Sequence, residues 1–205
     1  MALAMAILCG LTSWPAAAEA TLITIEIEGV VDSVWDEGNY LEGKIKRGDI
    51  INGTYIYNSD TPDSAEEPWL GKYEYFQDPY GIILEVRGFR FETDPTNVTF
   101  NIYVSNDRIS PSGDIYNIVS NNNLPLSSGT PVTSIWWQLN DNTGSALLSD
   151  ALPTTAPVLD NWQANVLDIS GYRTFGIQGH VISAIPEPAT ILLFGLGTFL
   201  LRKRT

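Results

Sequence analysis

Alternation of apolar and polar side chains is the feature that most constrains how this chain folds. Between residues 23 and 28, every odd position is isoleucine and every even position is threonine or glutamate. Because successive side chains of a β-strand point to opposite faces, this pattern predicts a strand with one buried and one solvated face. Further segments rich in β-branched and aromatic residues are also predicted strands: 40–46, 52–57, 72–76, 81–92, 97–105, 114–120, 134–140, 164–169 and 174–184.

Turn-forming residues separate these predicted strands at short intervals. Asn, Asp, Gly and Ser cluster at 36–39, 58–60 and 121–123, among other places. Many short strands joined by such turns are typical of a β-sandwich. We therefore predict that residues 21–184, called the passenger domain below, are all-β and form a jelly-roll-like β-sandwich. The segment 145–157 has weak strand character and predicts a short helical turn and a proline-braced loop.

The charge of the chain is strongly negative. Asp and Glu number 24 against 11 Lys and Arg, which gives a net charge of −13. An acidic domain repels phosphate groups, so nucleic acid is not an expected partner. Cysteine and histidine occur once each, as Cys9 and His180. One residue of each kind is too few for a disulfide or a zinc site, and we expect no cofactor.

Residues 1–20 have the composition of a signal peptide. The apolar stretch 2–11 is followed by the helix breaker Pro15 and then by small residues. Small residues at the positions that a signal peptidase reads predict cleavage after Ala18 or Ala20. The alternative is a buried N-terminal helix, but the segment lacks the amphipathic spacing of such a helix.

The stretch 185–205 combines three features in a fixed order. It opens on Pro186, Glu187 and Pro188 and continues with the uncharged run 189–201. It closes on three consecutive basic residues: Arg202, Lys203 and Arg204. As a helix the run is roughly 20 Å long, whereas a bilayer core measures about 30 Å. The basic end favours the cytoplasmic side, so we predict a short, cleavable transmembrane helix.

This order of features resembles the PEP-CTERM sorting domain of Gram-negative, biofilm-forming bacteria. The resemblance covers residues 186–204. It implies that a membrane protease-transpeptidase, exosortase, recognises the proline-glutamate-proline triplet, and that the basic residues form the stop-transfer end. The alternative is a lone transmembrane tail with a fortuitous triplet. The resemblance concerns sorting and implies no activity for the passenger domain.

An acidic loop is the weak candidate for a metal site. Asp60, Asp63, Glu66 and Glu67 lie close together in the sequence, and calcium prefers several oxygen ligands. Their spacing does not match an EF-hand, and a solvated acidic loop is the alternative.

No catalytic residue is predicted. His180 lies in a strand-like segment, and no Gly-x-Ser-x-Gly elbow accompanies it, so we expect a histidine on a strand face. Glu26 and Glu28 share one strand face, where we expect them to be solvated.

Tryptophans are the candidates for ligand stacking. Trp136 and Trp137 are adjacent, so they must point to opposite faces of one strand. One is expected in the core and the other on the surface, where an indole can stack on a sugar ring. We expect Trp35, Trp69 and Trp162 to cover the ends of the sheet.

These observations favour a non-enzymatic surface or extracellular-matrix protein that contacts exopolysaccharide. It is expected to be anchored in the inner membrane facing the periplasm and then delivered to the cell surface or beyond it. Two alternatives stay open: a carbohydrate-active hydrolase that uses a carboxylate pair, and a purely structural domain.

Overall fold

A computed structural model describes residues 22–109 and 112–187, and this part of the chain is all-β, as predicted. It contains one short 3-10 turn, Leu159–Asn161, and no α-helix. The strands are β1 Leu22–Asp36, β2 Ile50–Asn58, β3 Leu70–Tyr75, β4 Gly81–Val86, β5 Phe89–Glu92, β6 Phe100–Ile109, β7 Ser112–Ser120, β8 Ser134–Asp141, β9 Ala164–Ser170 and β10 Phe175–Pro186.

All ten strands belong to one antiparallel sheet with the order β3-β6-β7-β8-β9-β10-β1-β2-β4-β5. The sheet is strongly curled. Tyr55 of β2 and Trp137 of β8 have ring centroids 6.0 Å apart, although three strands separate them in the sheet. In a flat sheet four strand spacings would place them about 19 Å apart. The curl therefore brings the inner faces of the two halves together, as in a sandwich.

The inner face of the curled sheet forms the core. In β8, Ile135, Trp137 and Leu139 are fully buried, while the residues between them are half-exposed. This period of two confirms the alternation that predicted the strands. The core is rich in tyrosine, and each buried hydroxyl needs a partner. Tyr55 and Tyr116 satisfy each other with their hydroxyl oxygens 3.3 Å apart.

The loop between β8 and β9 closes one end of this core. The Tyr57 hydroxyl donates to the Pro153 carbonyl at 2.8 Å, and the Tyr73 hydroxyl donates to the Asp150 carbonyl at 2.9 Å. Leu152 of the same loop is buried. Residues 145–157 contain no strand, and the 3-10 turn lies after them rather than among them.

Two buried aspartates anchor the start of this loop. Asp114 and Asp141 lie directly opposite each other on β7 and β8. Asp114 accepts from the backbone N–H of Leu147 at 2.8 Å. Asp141 accepts from Thr143 and Ser145, and these hydrogen bonds hold the pKa of its carboxyl well below the usual range. Hydrogen bonds to the Asp114 side chain and to the ionised Asp141 side chain therefore fix the loop geometry.

The predicted strand at 40–46 is wrong. Residues 40–44 form consecutive turns, and residues 45–46 are irregular, because the Asp36 carboxylate accepts from the N–H groups of Tyr40 and Leu41, both at 2.8 Å. Leu41 and Ile45 are buried, so their apolar character reflects packing against the core rather than a strand.

The predicted strand at 81–92 is two strands, β4 and β5. Arg87 and Gly88 between them both have positive φ, 50° and 85°. Two such residues form the tight turn that suits a β-hairpin. β1 is also longer than the predicted alternation, because it continues to Asp36 through two register shifts.

No helix in the described residues is long and apolar enough to cross a membrane. The predicted signal helix at 1–20 and the predicted transmembrane run at 189–201 lie outside the described residues.

Asp141→Asn is expected to lower the melting temperature at neutral pH. The lowered pKa means that ionised Asp141 stabilises the fold above its unfolded-state pKa, and that this contribution declines as acid protonates the unfolded chain. The difference in melting temperature between wild type and variant should therefore narrow below about pH 4. Thermal unfolding at several pH values measures it, with exposed Asp160→Asn as the control. A difference that is constant from pH 7 to pH 3 would show that the charge of Asp141 is not responsible.

Candidate functional site

The first two residues of the proline-glutamate-proline triplet lie within the folded sheet. Pro186 ends β10 directly opposite Ile25 of β1. The backbone N–H of Glu187 donates to the carbonyl of Thr24 at 2.9 Å, which carries the pairing one residue further. Both triplet residues are exposed, and Pro188 lies outside the described residues. The triplet therefore begins inside a strand rather than on a linker.

Pro186 is compatible with this pairing because of its register. The Glu187–Thr24 hydrogen bond makes Pro186 and Ile25 a pair whose own backbone groups do not bond each other. The nitrogen of Pro186 consequently faces away from β1, and its missing hydrogen removes no bond from the ladder. This register depends on how β10 pairs with β1, which the local sequence around Pro186 does not specify.

β10 has no strand on its second edge beyond Gly179 within the described residues. β9 pairs with β10 only from Gly176 to Gly179. The side chain of Asn165 then binds both backbone groups of Val181: its Nδ2 donates to the carbonyl at 2.6 Å, and its Oδ1 accepts from the N–H at 3.2 Å. This amide ends the β9 ladder. Residues 183–187 are therefore paired with β1 alone.

The start of β1 lies at the same end of the sheet as the end of β10, because the two strands are antiparallel. Leu22, the first described residue, thus lies near the sorting triplet. The predicted signal cleavage positions, Ala18 and Ala20, precede Leu22 by only a few residues.

Trp137 belongs to the core. Its side chain is completely buried, its ring lies 6.0 Å from that of Tyr55, and its Nε1 donates to Asn165 Oδ1 at 3.0 Å. An indole in this position has no surface to offer a ligand, so the stacking candidate of the pair is Trp136.

Trp136 lies on the outer face of the sheet and is half-buried. It is directly opposite Val119 of β7 and Asp168 of β9. Asp168 is in turn opposite Gln178 of β10. Burial raises the pKa of the Asp168 carboxyl, and a hydrogen bond with the Ser170 side chain opposes part of this effect. An indole, a carboxyl and an amide thus lie side by side.

Trp35 is a second outer-face tryptophan, and the sequence did not identify it as a candidate. It is directly opposite Gly176, its side chain is 44% exposed, and its ring lies 3.8 Å from where a Cβ on that glycine would be. Gly176 is in turn opposite Ser170 of β9, which is opposite Ser134 of β8, so these residues form one row across the sheet with Trp35.

The two tryptophans therefore share one face. Between them lie Gly176 and Ser170 in the row of Trp35, and Asp168 and Gln178 in the row of Trp136. Trp136 and Trp35 lie on strands three spacings apart, which corresponds to about 15 Å. Trp35 is the last residue but one of β1 and is opposite the second residue of β10, so it lies near one end of these strands.

The acidic loop is not organised as a cation site. Asp63 Oδ1 accepts from the backbone N–H groups of Ala65 and Lys72, both at 2.8 Å, so it fixes the loop against β3. The described residues contain no group of three or more His, Cys, Asp or Glu side chains placed to hold a metal ion. The weak calcium candidates are thus not brought together: Asp60, Asp63, Glu66 and Glu67.

His180 lies on the outer face of β10, where its Nδ1 is 2.8 Å from Asp32 Oδ2. Both side chains are more than 40% exposed. A solvated pair of this kind contributes little to stability.

Carboxylates also line an open groove of about 460 Å³ on the outer face beside the end of β10. Glu26, Glu28 and Glu85 are its exposed acids. Arg90 binds Glu85 at 2.8 Å, so one of the three acids is neutralised by a neighbour.

Comparison with known families identifies the terminal motif. The sequence model of the PEP-CTERM protein-sorting motif matches residues 184–204, which include the last residues of β10. The chain therefore carries this sorting motif, as its sequence predicted. Neither the comparison with curated proteins nor that with solved structures gives a match.

Trp137→Ala and Trp136→Ala should differ sharply in stability. Removing the buried indole leaves a cavity and removes one of the hydrogen bonds that Asn165 Oδ1 accepts, and is expected to cost about 3–5 kcal/mol. Removing the half-buried outer indole should cost about 1 kcal/mol. Urea unfolding of the two variants measures the difference. Equal losses would contradict the assignment of the two faces.

Proposed function

We propose that this chain is an exported, non-enzymatic envelope protein whose passenger domain contacts exopolysaccharide. The observation that carries the proposal is the sorting motif at residues 184–204. Such a motif supports export, membrane association and sorting by exosortase in a Gram-negative cell envelope.

The proposed route uses both ends of the chain. Residues 1–20 act as the signal peptide, and the tail 185–205 holds the passenger domain 21–184 at the periplasmic side of the inner membrane. Exosortase then acts at the triplet, with Arg202, Lys203 and Arg204 as the stop-transfer end. The sandwich-like, jelly-roll-like passenger is delivered to the cell surface or the extracellular matrix of a biofilm. The first and last described residues lie at the same end of the β1–β10 pair, and this supports the route because one pole of the domain can face the membrane.

The proposed contact with polysaccharide uses the outer face. Trp136 and Trp35 supply apolar rings on which sugar rings can stack, and Gln178 and Asp168 between them supply hydrogen-bonding groups. Because the Ser170 side chain is small, it does not project between the two indoles. With a net charge of −13, the protein suits a neutral or amine-bearing glycan better than a polyanionic one.

Binding without turnover fits the chemistry of this face. Glycoside hydrolysis needs two carboxyl groups about 5–9.5 Å apart. The neighbours directly opposite Asp168 are Trp136 and Gln178, neither of which is an acid. The hydrolase alternative would instead have to use the groove acids Glu26 and Glu28, which are exposed.

Glu187→Ala should block sorting in the producing bacterium. The variant removes the acid of the recognition triplet, so the precursor should accumulate in the membrane fraction while the wild-type tail is removed. Intact-mass measurement of the recovered protein distinguishes the two forms. Glu28→Ala, an exposed glutamate of β1, is the matched control and should be processed normally. Normal removal of the tail from Glu187→Ala would contradict the role of the triplet.

Trp136→Ala and Trp35→Ala should each weaken retention on the exopolysaccharide of the producing bacterium. The loss of one stacking ring is expected to raise the dissociation constant about tenfold. Affinity electrophoresis measures the retention, with Phe76→Ala as the control because Phe76 is 68% exposed at the end of β3.

Release of sugar by the wild type, abolished by Glu26→Gln or Glu28→Gln, would instead favour the hydrolase alternative. Absence of both retention and release would favour a purely structural domain.

A further inference from the structure

The sorting triplet directly adjoins both the folded sheet and the apolar run. The ladder with β1 extends to Glu187, and Pro188 alone separates Glu187 from the uncharged run 189–201. While the ladder is intact, the triplet has no linker on its N-terminal side. The Glu187 N–H is bonded to Thr24, and one edge of the strand is covered by β1.

An enzyme that recognises an extended peptide usually binds its backbone edges and its alternating side chains. The β1-facing edge of residues 185–187 is already occupied by the passenger domain itself. We propose that the sorting enzyme acts on the triplet only after the end of β10 has separated from β1, so that the β1–β10 ladder gates processing. This inference rests on the proposed sorting function.

The structure marks out the segment that can separate. Residues 182–187 have no strand on their second edge within the described chain. The side chains of Ile185, Pro186 and Glu187 are exposed, so little apolar contact holds them. Segments with few buried contacts are the first to open locally.

The separation of β10 from β1 is expected to stop at Val181. Val181 is buried, and the Asn165 side chain binds both its N–H and its carbonyl. Gly179 before it is paired on both edges, with Leu167 of β9 and Val31 of β1. The core can therefore stay intact while residues 182–187 separate.

A disulfide that joins β1 to the end of β10 tests the gate. Glu26 and Ile185 are exposed and directly opposite each other, and the Cα separation of such a pair, about 5.5 Å, suits a disulfide. The double variant Glu26→Cys/Ile185→Cys is expressed in a host that processes the wild type. Tail removal is followed by intact mass. Its rate should fall at least about tenfold in the oxidised protein and recover on reduction.

Two further variants separate the gate from other effects. Glu28→Cys/Asn52→Cys joins β1 to β2 through another opposite pair and should be processed at the wild-type rate. Insertion of Gly-Ser-Gly between Ile185 and Pro186 of the locked variant moves the triplet beyond the disulfide, and it should restore processing without reduction.

Wild-type processing of the oxidised Glu26→Cys/Ile185→Cys protein would overturn the gate, as would failure of the insertion to restore processing. Failure of wild-type processing in the native host would instead refute the proposed sorting function, so the two failures are distinguishable.

Discussion

The pairing of β1 with β10 is the interaction on which the rest of this structure depends. It joins the first and last described strands in the interior of the sheet, with β9 on one side and β2 on the other. The strands on the β9 side and those on the β2 side of this pair curl towards each other over the core. The same pairing carries the chain into the sorting motif, since the register runs through Ile185 and Pro186. Fold stability and motif presentation therefore depend on different parts of one strand pair.

Local sequence patterns predicted the strands better than their partners. The period of two in β8 marks its buried face correctly, because alternation depends only on which side meets the core. The strand prediction for 40–46 was wrong because the Asp36 carboxylate bonds the backbone N–H groups four and five residues further along and so turns the chain there. The pairing of β1 with β10 joins residues about 150 positions apart, and no local pattern encodes such a contact.

The candidate sites divide in the same way. The sorting triplet could be predicted from the sequence because the motif is defined by the identity of its residues. Its position inside a strand could not, because Pro186 fits only when its nitrogen faces away from β1. Because Trp136 and Trp137 are adjacent in the sequence, their opposite faces could be predicted. The position of Trp35 over Gly176 depends on the two register shifts between β1 and β10 and could not. A surface assembled from four strands becomes visible only after the sheet order is known.

Amide hydrogen exchange at the end of β10 tests the central claim most directly. The register predicts that the N–H groups of Ile185 and Glu187 face β1, whereas that of Ala184 faces the edge without a neighbouring strand. In the passenger domain with its triplet attached, the amides of Ile185 and Glu187 should exchange more slowly than that of Ala184. Exchange of the Glu187 amide at the rate of an unstructured peptide would contradict the account, because the sorting motif would then begin on a free tail.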